Sequence, residues 1–394
     1  MKILMNATDG PLSLRAIRRY VLEMAAGLGH PDSGVDLHLM FLTHRVNRIR
    51  RFLKQLPAET SYRLRVVPVP RRICYDRYEE TRRELRWLTK GMDLYHETTT
   101  DSPRFLDTPV LTTIHGCCPL VRPDILDPGF VRGKSAWFDR AVRNSGYFTT
   151  VSATSREEFL ERFPVARELV RPIPLGVSEQ FSHVAPEVAQ QAVQETFGWD
   201  QPYVLYVGGI QHNKNIPVVL HTFQRLLEGS AFNGNLVLAG DLHYPEEMFR
   251  SKLQSLGIAD RVRTPGCFPP EDQRLATLYR GASLFLFPSF YEGWTSPPLE
   301  AMACGTPVIA SAASSIPETV GSAALTVDPE DPEGWAEAAA RVLADRNLAA
   351  DLREAGIARA AEYPWSRTVG STIEMYSDIL NGNLAAQPEA FTPA

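Results

Sequence analysis

The chain has 394 residues, 44% of them hydrophobic and 22% charged, a globular composition long enough for two domains of ordinary size. Its net charge is −5, and its five cysteines (Cys74, Cys117, Cys118, Cys267, Cys304) contain no C-x-x-C pair, so neither a disulfide framework nor a cysteine metal site is expected. No charged and apolar leader opens the chain and no uncharged apolar run approaches ~18 residues, so neither a secretory signal nor a transmembrane helix is expected and the protein reads as cytoplasmic.

Ile3-Leu4-Met5-Asn6-Ala7 predicts a first buried strand and Thr8 to Leu14 a turn-rich loop. Ala16 to Leu28 carries Ile17, Tyr20, Val21, Met24 and Leu28 at helical spacing and stops at Gly29. Leu37 to Leu42 is a second strand. Val46 to Leu56 is a basic amphipathic helix, Leu64 to Val69 a strand, and Tyr78 to Trp87 a second basic helix. Leu94-Tyr95-His96 ends a short strand, and Val110 to Ile114 is a strand that runs into His115-Gly116. A histidine just past the C-terminal end of a strand stands where open α/β sheets bind ligands. Tyr147 to Ser152 is a further strand. The helix from Ser155 to Phe163 has Ser155 as its expected N-cap and Glu158 three residues on, a capping box.

Residues 1–178 hold 28 Lys+Arg against 20 Asp+Glu, and the remainder 13 against 26. The arginines cluster at Arg45, Arg48, Arg50 and Arg51 and again at Arg71, Arg72, Arg77, Arg82, Arg83 and Arg86. Either this half meets an anionic partner, such as a membrane surface or a lipid diphosphate, or the arginines are solvated helix faces.

Residues 178–200 form a polar, Gln-rich connection with a short helix, and a domain boundary is expected there. Tyr203 to Val207 is a fully buried strand, followed by Gly208-Gly209, Lys214-Asn215 and a helix from about Pro217 to Leu227. A lysine at a helix start is poorly placed against the dipole, which argues for an anion nearby. Asn235 to Ala239 and Val262 to Gly266 are strands with a helix, Glu246 to Leu256, between them. Asp272 to Arg280 is a helix that leads into the most informative stretch. There Leu284 to Phe287 is a strand, Pro297 to Cys304 a helix with Ser296 as N-cap and Pro297 at its first position, and Gly305 its stop. The loop between them carries Glu292 and Gly293. Glu300 follows one turn into the helix. A helix N-terminus flanked by two carboxylates suits a sugar nucleotide better than a bare phosphate. Beyond Val308 come the segment Ser311 to Glu318, a strand at Ala323 to Val327, and helices at Asp331 to Leu343, Leu348 to Glu362 and Trp365 to Leu380.

Glu292-Gly293-Trp294-Thr295-Ser296-Pro297-Pro298-Leu299-Glu300-Ala301-Met302-Ala303-Cys304-Gly305-Thr306-Pro307-Val308 resembles the E-x7-E motif of retaining glycosyltransferases of family GT4, written E-G-F-G-L-P-x-L-E-A-M-A-x-G-x-P-V. Trp294, Thr295 and Ser296 depart from it. His115 resembles the family's T-I-H-D segment, with Gly116 in place of Asp. Gly208-Gly209 to Lys214 resembles G-R-x-x-x-x-K, with Gly209 in place of Arg and Asn213 before the lysine. Ile17-Arg18-Arg19-Tyr20 resembles Ile-Gly-Arg-Tyr, and residues 170–177 the interdomain turn. The resemblance covers about residues 3 to 380.

The resemblance implies an α/β protein of GT-B fold, two Rossmann-like doubly wound parallel-sheet domains facing across a cleft. Residues 1–178 would bind the acceptor and residues 179–364 the nucleotide sugar, with a helix at 365–380 crossing back and a mobile tail at 381–394. It further implies metal-independent transfer of a hexose, from GDP-mannose above other donors, to a glycan, lipid-linked or small-molecule hydroxyl. No cofactor or metal is expected, and no nucleic acid. Glu292 would meet the transferred sugar and His115 would orient donor or acceptor. Gly209, Lys214, Gly293, Trp294, Thr295 and Ser296 would line the donor, and Glu300 would hold its ribose. The rival readings are a GT-B epimerase or phosphorylase, and a non-catalytic scaffold of the same fold.

Overall fold

The structure, a computed structural model, describes residues 1–11, 16–43, 45–67, 89–99, 108–269 and 272–384. The expected helix Tyr78 to Trp87 and the arginines from Arg71 to Arg86 lie outside them, as do parts of the loops after Thr8 and Thr98.

The chain divides into two compact units, Met1–Leu175 joined by the helix Trp365–Leu380, and Gly176–Pro364. Among the described residues the first holds seven strands: β1 (Lys2–Asn6), β2 (Asp36–Leu42), β3 (Arg63–Val67), β4 (Leu94–Glu97), β5 (Val110–Ile114), β6 (Tyr147–Thr150) and β7 (Val170–Pro172). Their order is β3-β2-β1-β4-β5-β6-β7, every pair parallel. The second holds β8 (Tyr203–Val207), β9 (Asn235–Ala239), β10 (Val262–Arg263), β11 (Leu284–Phe287), β12 (Val308–Ser311) and β13 (Leu325–Val327). Their order is β10-β9-β8-β11-β12-β13, again parallel.

Parallel strands covered on both faces read as unbroken apolar runs, which is why LFLF and YVLYV are strands here. Each sheet reverses its order once, beside β1 and β4 in the first unit and beside β8 and β11 in the second. The loops that leave the strand ends at such a reversal splay apart and make the ligand crevice of this architecture. The second unit's core joins Phe223, Leu226, Leu236, Leu238, Leu286 and Trp335, all at most 1% exposed. In the first unit the C-terminal helix lies on the helix Ala16–Leu28. A Cβ on Gly27 would stand 2.4 Å from a Val369 methyl, so glycine permits the close approach.

Three local expectations are corrected. The helix of the capping-box reading is Ala153–Arg162, and its N-cap is Ser152, whose hydroxyl accepts from the Ser155 N–H at 3.0 Å. Ser152 has the extended backbone a cap requires, and Ser155 is already helical and buried. The helix of the central stretch is Ser296–Ala303, one residue earlier than expected, and Thr295 is its uncapped start. A 17-residue helix, Pro128–Asn144, stands where no element was expected; Asp127 caps it by accepting from the Phe130 N–H at 3.0 Å.

Candidate functional site

Two loops meet at the reversal point of the second sheet. The loop after β8 ends in Lys214, and the loop after β11 carries Glu292. Lys214 Nζ donates to Glu292 Oε1 at 2.5 Å, with the two side chains 20% and 15% exposed. The loops are also tied through the backbone, since the Phe290 N–H donates to the Asn213 carbonyl at 3.2 Å. On its other side Glu292 is clamped by two serines of the segment Ser311 to Glu318, to which the sequence reading gave no part in the site. Its N–H donates to Ser314 Oγ at 2.9 Å, and its carbonyl accepts from the hydroxyls of Ser314 (2.5 Å) and Ser315 (2.8 Å). Ser314 has φ of +54°, a conformation that costs a residue with a side chain free energy and that the clamp holds in place. The backbone of Glu292 is thus held by the loop after β12 and its carboxylate by Lys214 from the loop after β8.

The head of the helix Ser296–Ala303 borders this pair in sequence. Pro297 and Pro298 lie in its first turn, so of the four positions that would present free N–H groups only Thr295 and Ser296 have one. The dipole remains, but the donors are fewer than the sequence alone suggested. Around this turn three buried polar atoms lack a partner among the described residues: Ser289 Oγ, Trp294 Nε1 and Thr295 Oγ1. Ser289 and Thr295 are fully buried, and Trp294 packs its ring edge-on against Tyr363 at 5.2 Å. Buried polar groups left unsatisfied cost about 1–3 kcal/mol each and mark a place where a ligand or ordered water belongs. Glu300, 6% exposed, accepts from the Tyr279 hydroxyl at 2.9 Å. Gly209 offers its carbonyl to the Tyr206 hydroxyl at 2.9 Å.

His115 belongs to the first unit. Its Nε2 lies 2.8 Å from the Thr98 carbonyl, which only an N–H can satisfy, so Nδ1 keeps its lone pair. Burial pushes its pKa down, partly offset by the Thr98 bond and the charge of Asp9, and the ring stays neutral. Tyr20 packs edge-on against it at 4.9 Å. Gly116 has φ of +127°, a region open essentially to glycine, so the carboxylate familiar at this position would strain the turn. Arg18, at the glycine position of the loop pattern, donates to Gln55 at 2.9 Å, and Arg19 is buried. Beneath His115 runs a hydrogen-bonded chain: Tyr376 to His96 Nδ1 (2.6 Å), His96 Nε2 to Thr113 (2.8 Å), and Thr113 to Tyr20 and Thr149 (both 3.0 Å). The structure therefore brings Lys214, Glu292 and the loop from Gly293 to Ser296 together in one unit and sets His115 in the other.

Residues 17–181 match the family described as Glycosyltransferase Family 4, and residues 189–359 match Glycosyl transferases group 1. The chain is 27% identical to O-antigen chain mannosyltransferase B of Escherichia coli over 382 residues, 95% of this chain and 99% of that protein. It is 27% identical over 289 residues to the serotype-specific mannosyltransferase WbdA of the same organism, 71% of this chain but only 35% of that longer protein. Among solved structures it superposes on Anabaena HepE in complex with UDP and glucose with a TM-score of 0.73, at 16% identity, over 96% of this chain and all of that one.

Proposed function

From the premise that the chain belongs to glycosyltransferase family 4 and has the GT-B fold, we propose that it moves a hexose with retention from a nucleotide sugar, GDP-mannose before other donors, onto a hydroxyl of a glycan or glycolipid. The mannosyltransferase relatives support the sugar and the acceptor class, and the nucleotide bound in the HepE structure supports the donor class. The observation that carries the reading is the Lys214–Glu292 pair at the sheet's reversal point.

Transfer breaks the bond from the anomeric carbon to the donor phosphate and forms a bond from that carbon to the acceptor oxygen on the same face. The acceptor's proton goes to the departing phosphate oxygen. Lys214 and the dipole of the helix Ser296–Ala303 take up the charge that grows on the diphosphate, a role for fixed charge that costs no reorganisation at the moment of reaction. As Lys214 turns to the phosphate it releases Glu292, whose carboxylate then faces the sugar and its developing positive charge. Glu300 holds the ribose. His115 accepts a sugar hydroxyl at Nδ1.

The protein is further proposed to work without metal at the cytoplasmic face of a membrane. Arg45, Arg48, Arg50 and Arg51 are exposed on and beside the helix Val46–Leu53, whose buried side is Ile49 and Phe52. Edge strand β3 exposes Leu64 and Val66 next to its arginines. Among the described residues no helix is long and apolar enough to cross a membrane.

The testing experiment is a thermal-shift panel of GDP, UDP, dTDP and ADP and their sugar conjugates in EDTA, followed by analysis of the anomer formed from the stabilising donor. GDP and GDP-mannose should raise the melting temperature, by an amount that grows with the logarithm of ligand concentration. If no nucleotide shifts it, the transferase reading fails for this chain.

A further inference from the structure

We infer that His243, with Gln211, supplies a second set of hydrogen-bond donors for the diphosphate in the second unit. This rests on the nucleotide-sugar reading given above. The starting point is the difference between two adjacent glycines. Gly208 has φ of +158°, and a Cβ there would stand 2.5 Å from the Tyr206 hydroxyl oxygen, so a side chain is excluded. Gly209 has no positive φ. A Cβ on it would stand 3.3 Å from Gln211 Cδ and 3.5 Å from His243 Cδ2, contacts that a small adjustment of two flexible side chains accommodates. The backbone therefore does not demand glycine at 209. What the glycine does is leave a space that two polar side chains cover.

His243 is held beside the Lys214 loop by backbone. Beyond β8 and β9 the two strand-end loops stay zipped: Gly208 N–H to the Ala239 carbonyl (3.0 Å), Ile210 N–H to the Asp241 carbonyl (2.8 Å) and His243 N–H to the Ile210 carbonyl (3.1 Å). The His243 side chain is exposed, and among the described residues neither its ring nor the Gln211 amide has a hydrogen-bond partner.

The site needs such donors. Lys214 must leave Glu292 to reach a phosphate, and it then brings a single charge. Two of the four positions at the head of the helix Ser296–Ala303 are prolines or lack a free N–H for that reason. A diphosphate with two or more negative charges is left with few N–H groups unless the neighbouring loop supplies them. An imidazole N–H and a carboxamide are suitable, because hydrogen bonds to phosphate oxygens are charge-assisted.

Calorimetric titration of the full chain with GDP, UDP, dTDP and ADP identifies the nucleoside diphosphate that binds. That ligand is then titrated into His243→Ala, Gln211→Ala and the double variant His243→Ala/Gly209→Arg, with melting temperatures of the unliganded variants as a check on folding. His243→Ala should weaken binding about tenfold or more and Gln211→Ala about threefold, the loss of one charge-assisted and one weaker bond. Arginine at 209 reaches into the same space and should bring the double variant back to within about threefold of the wild type, a recovery that damage to the fold does not allow. Wild-type affinity in both single variants overturns the inference while leaving the site reading intact, and so does a double variant as weak as His243→Ala. A wild type that binds none of the four nucleotides overturns the site reading itself, and the inference with it.

Discussion

The two units build the same kind of sheet and leave opposite kinds of polarity at its carboxyl edge. In the first unit the buried polar side chains along β4 and β5 satisfy one another, while Thr60 Oγ1 and Trp365 Nε1, away from that edge, have no partner among the described residues. Glu97, fully buried, accepts from Asn6 (2.8 Å), the Tyr95 hydroxyl (2.7 Å) and both the N–H and hydroxyl of Thr99 (3.1 Å each), and Thr113 fills its one donor and two acceptor sites with Tyr20, His96 and Thr149. In the second unit the equivalent edge holds an ion pair and three buried polar atoms with no partner among the described residues. Satisfied networks rigidify and specify a fold; unsatisfied ones store free energy that a ligand releases. By this reasoning the first unit is a preformed surface and the second is the one that changes on binding.

The largest effect is expected where the unsatisfied edge does chemistry. Glu292→Ala should lower the transfer rate about 10³-fold, the scale of losing one fixed electrostatic contact to a transition state, while the melting temperature stays near that of the wild type. Turnover within a few fold of the wild type would remove Glu292 from the mechanism. In the first unit the equivalent change acts on stability. Glu97→Ala leaves the donors of Asn6, Tyr95 and Thr99 buried without an acceptor and should cost roughly 3 kcal/mol. Amide hydrogen exchange across β1, β4 and β5 reports it for that unit alone, and unchanged protection there would refute the idea that the network is structural.

Much of this was legible beforehand, for identifiable reasons. The buried parallel strands announced themselves as apolar runs stopped by Gly and Pro, and the stretch from Glu292 to Val308 carried a long, ordered pattern. The helix Pro128–Asn144 was not legible, because only Phe138, Ala141 and Val142 of its 17 residues are buried and its stripe is too thin to show a period. Its signal was the cap, Asp127 followed by Pro128. The capping box at Ser155 misled because Ser152, three residues earlier, is an equally good cap residue without the box, and only backbone conformation decides which is the cap. The contacts that fix Glu292 were out of reach in principle: Lys214 and Ser314 lie 78 and 22 residues away, and periodicity carries no information about which strand-end loops meet. The partnership of Tyr20 and Thr98 with His115 was hidden in the same way.

Titration separates the units next. Burial drives the His96 pKa from 6.5 down to about 3, with a smaller contribution from His115. His96 is neutral in the native state and takes up a proton on unfolding, so its contribution to stability is fully present above pH 6.5 and is lost as pH falls toward 3. One such group gives a slope of about 1.4 kcal/mol per pH unit within that window. His115, whose pKa burial also lowers, adds in the same direction. Urea midpoints measured from pH 7 to pH 4, with hydrogen exchange assigning the loss to the first unit, should show this slope flattening in His96→Gln. An equally steep profile in that variant would place the acid sensitivity elsewhere.

The smallest effect is the most discriminating, because it is the same substitution made in both units. Thr113→Val removes a hydroxyl with three partners, 2% exposed, and should destabilise the first unit by roughly 1–3 kcal/mol, since Tyr20, His96 and Thr149 each lose a bond that water cannot replace. Thr295→Val removes a fully buried hydroxyl that has no partner among the described residues, keeps its shape, and should leave stability within about 0.5 kcal/mol or raise it. Its cost should appear only with ligand, as a donor affinity reduced several fold, about 1 kcal/mol, if donor binding turns the hydroxyl to account. Equal losses of stability in the two variants would mean that the Thr295 hydroxyl is satisfied in the unliganded protein, and the division between a preformed unit and a ligand-completed one would collapse.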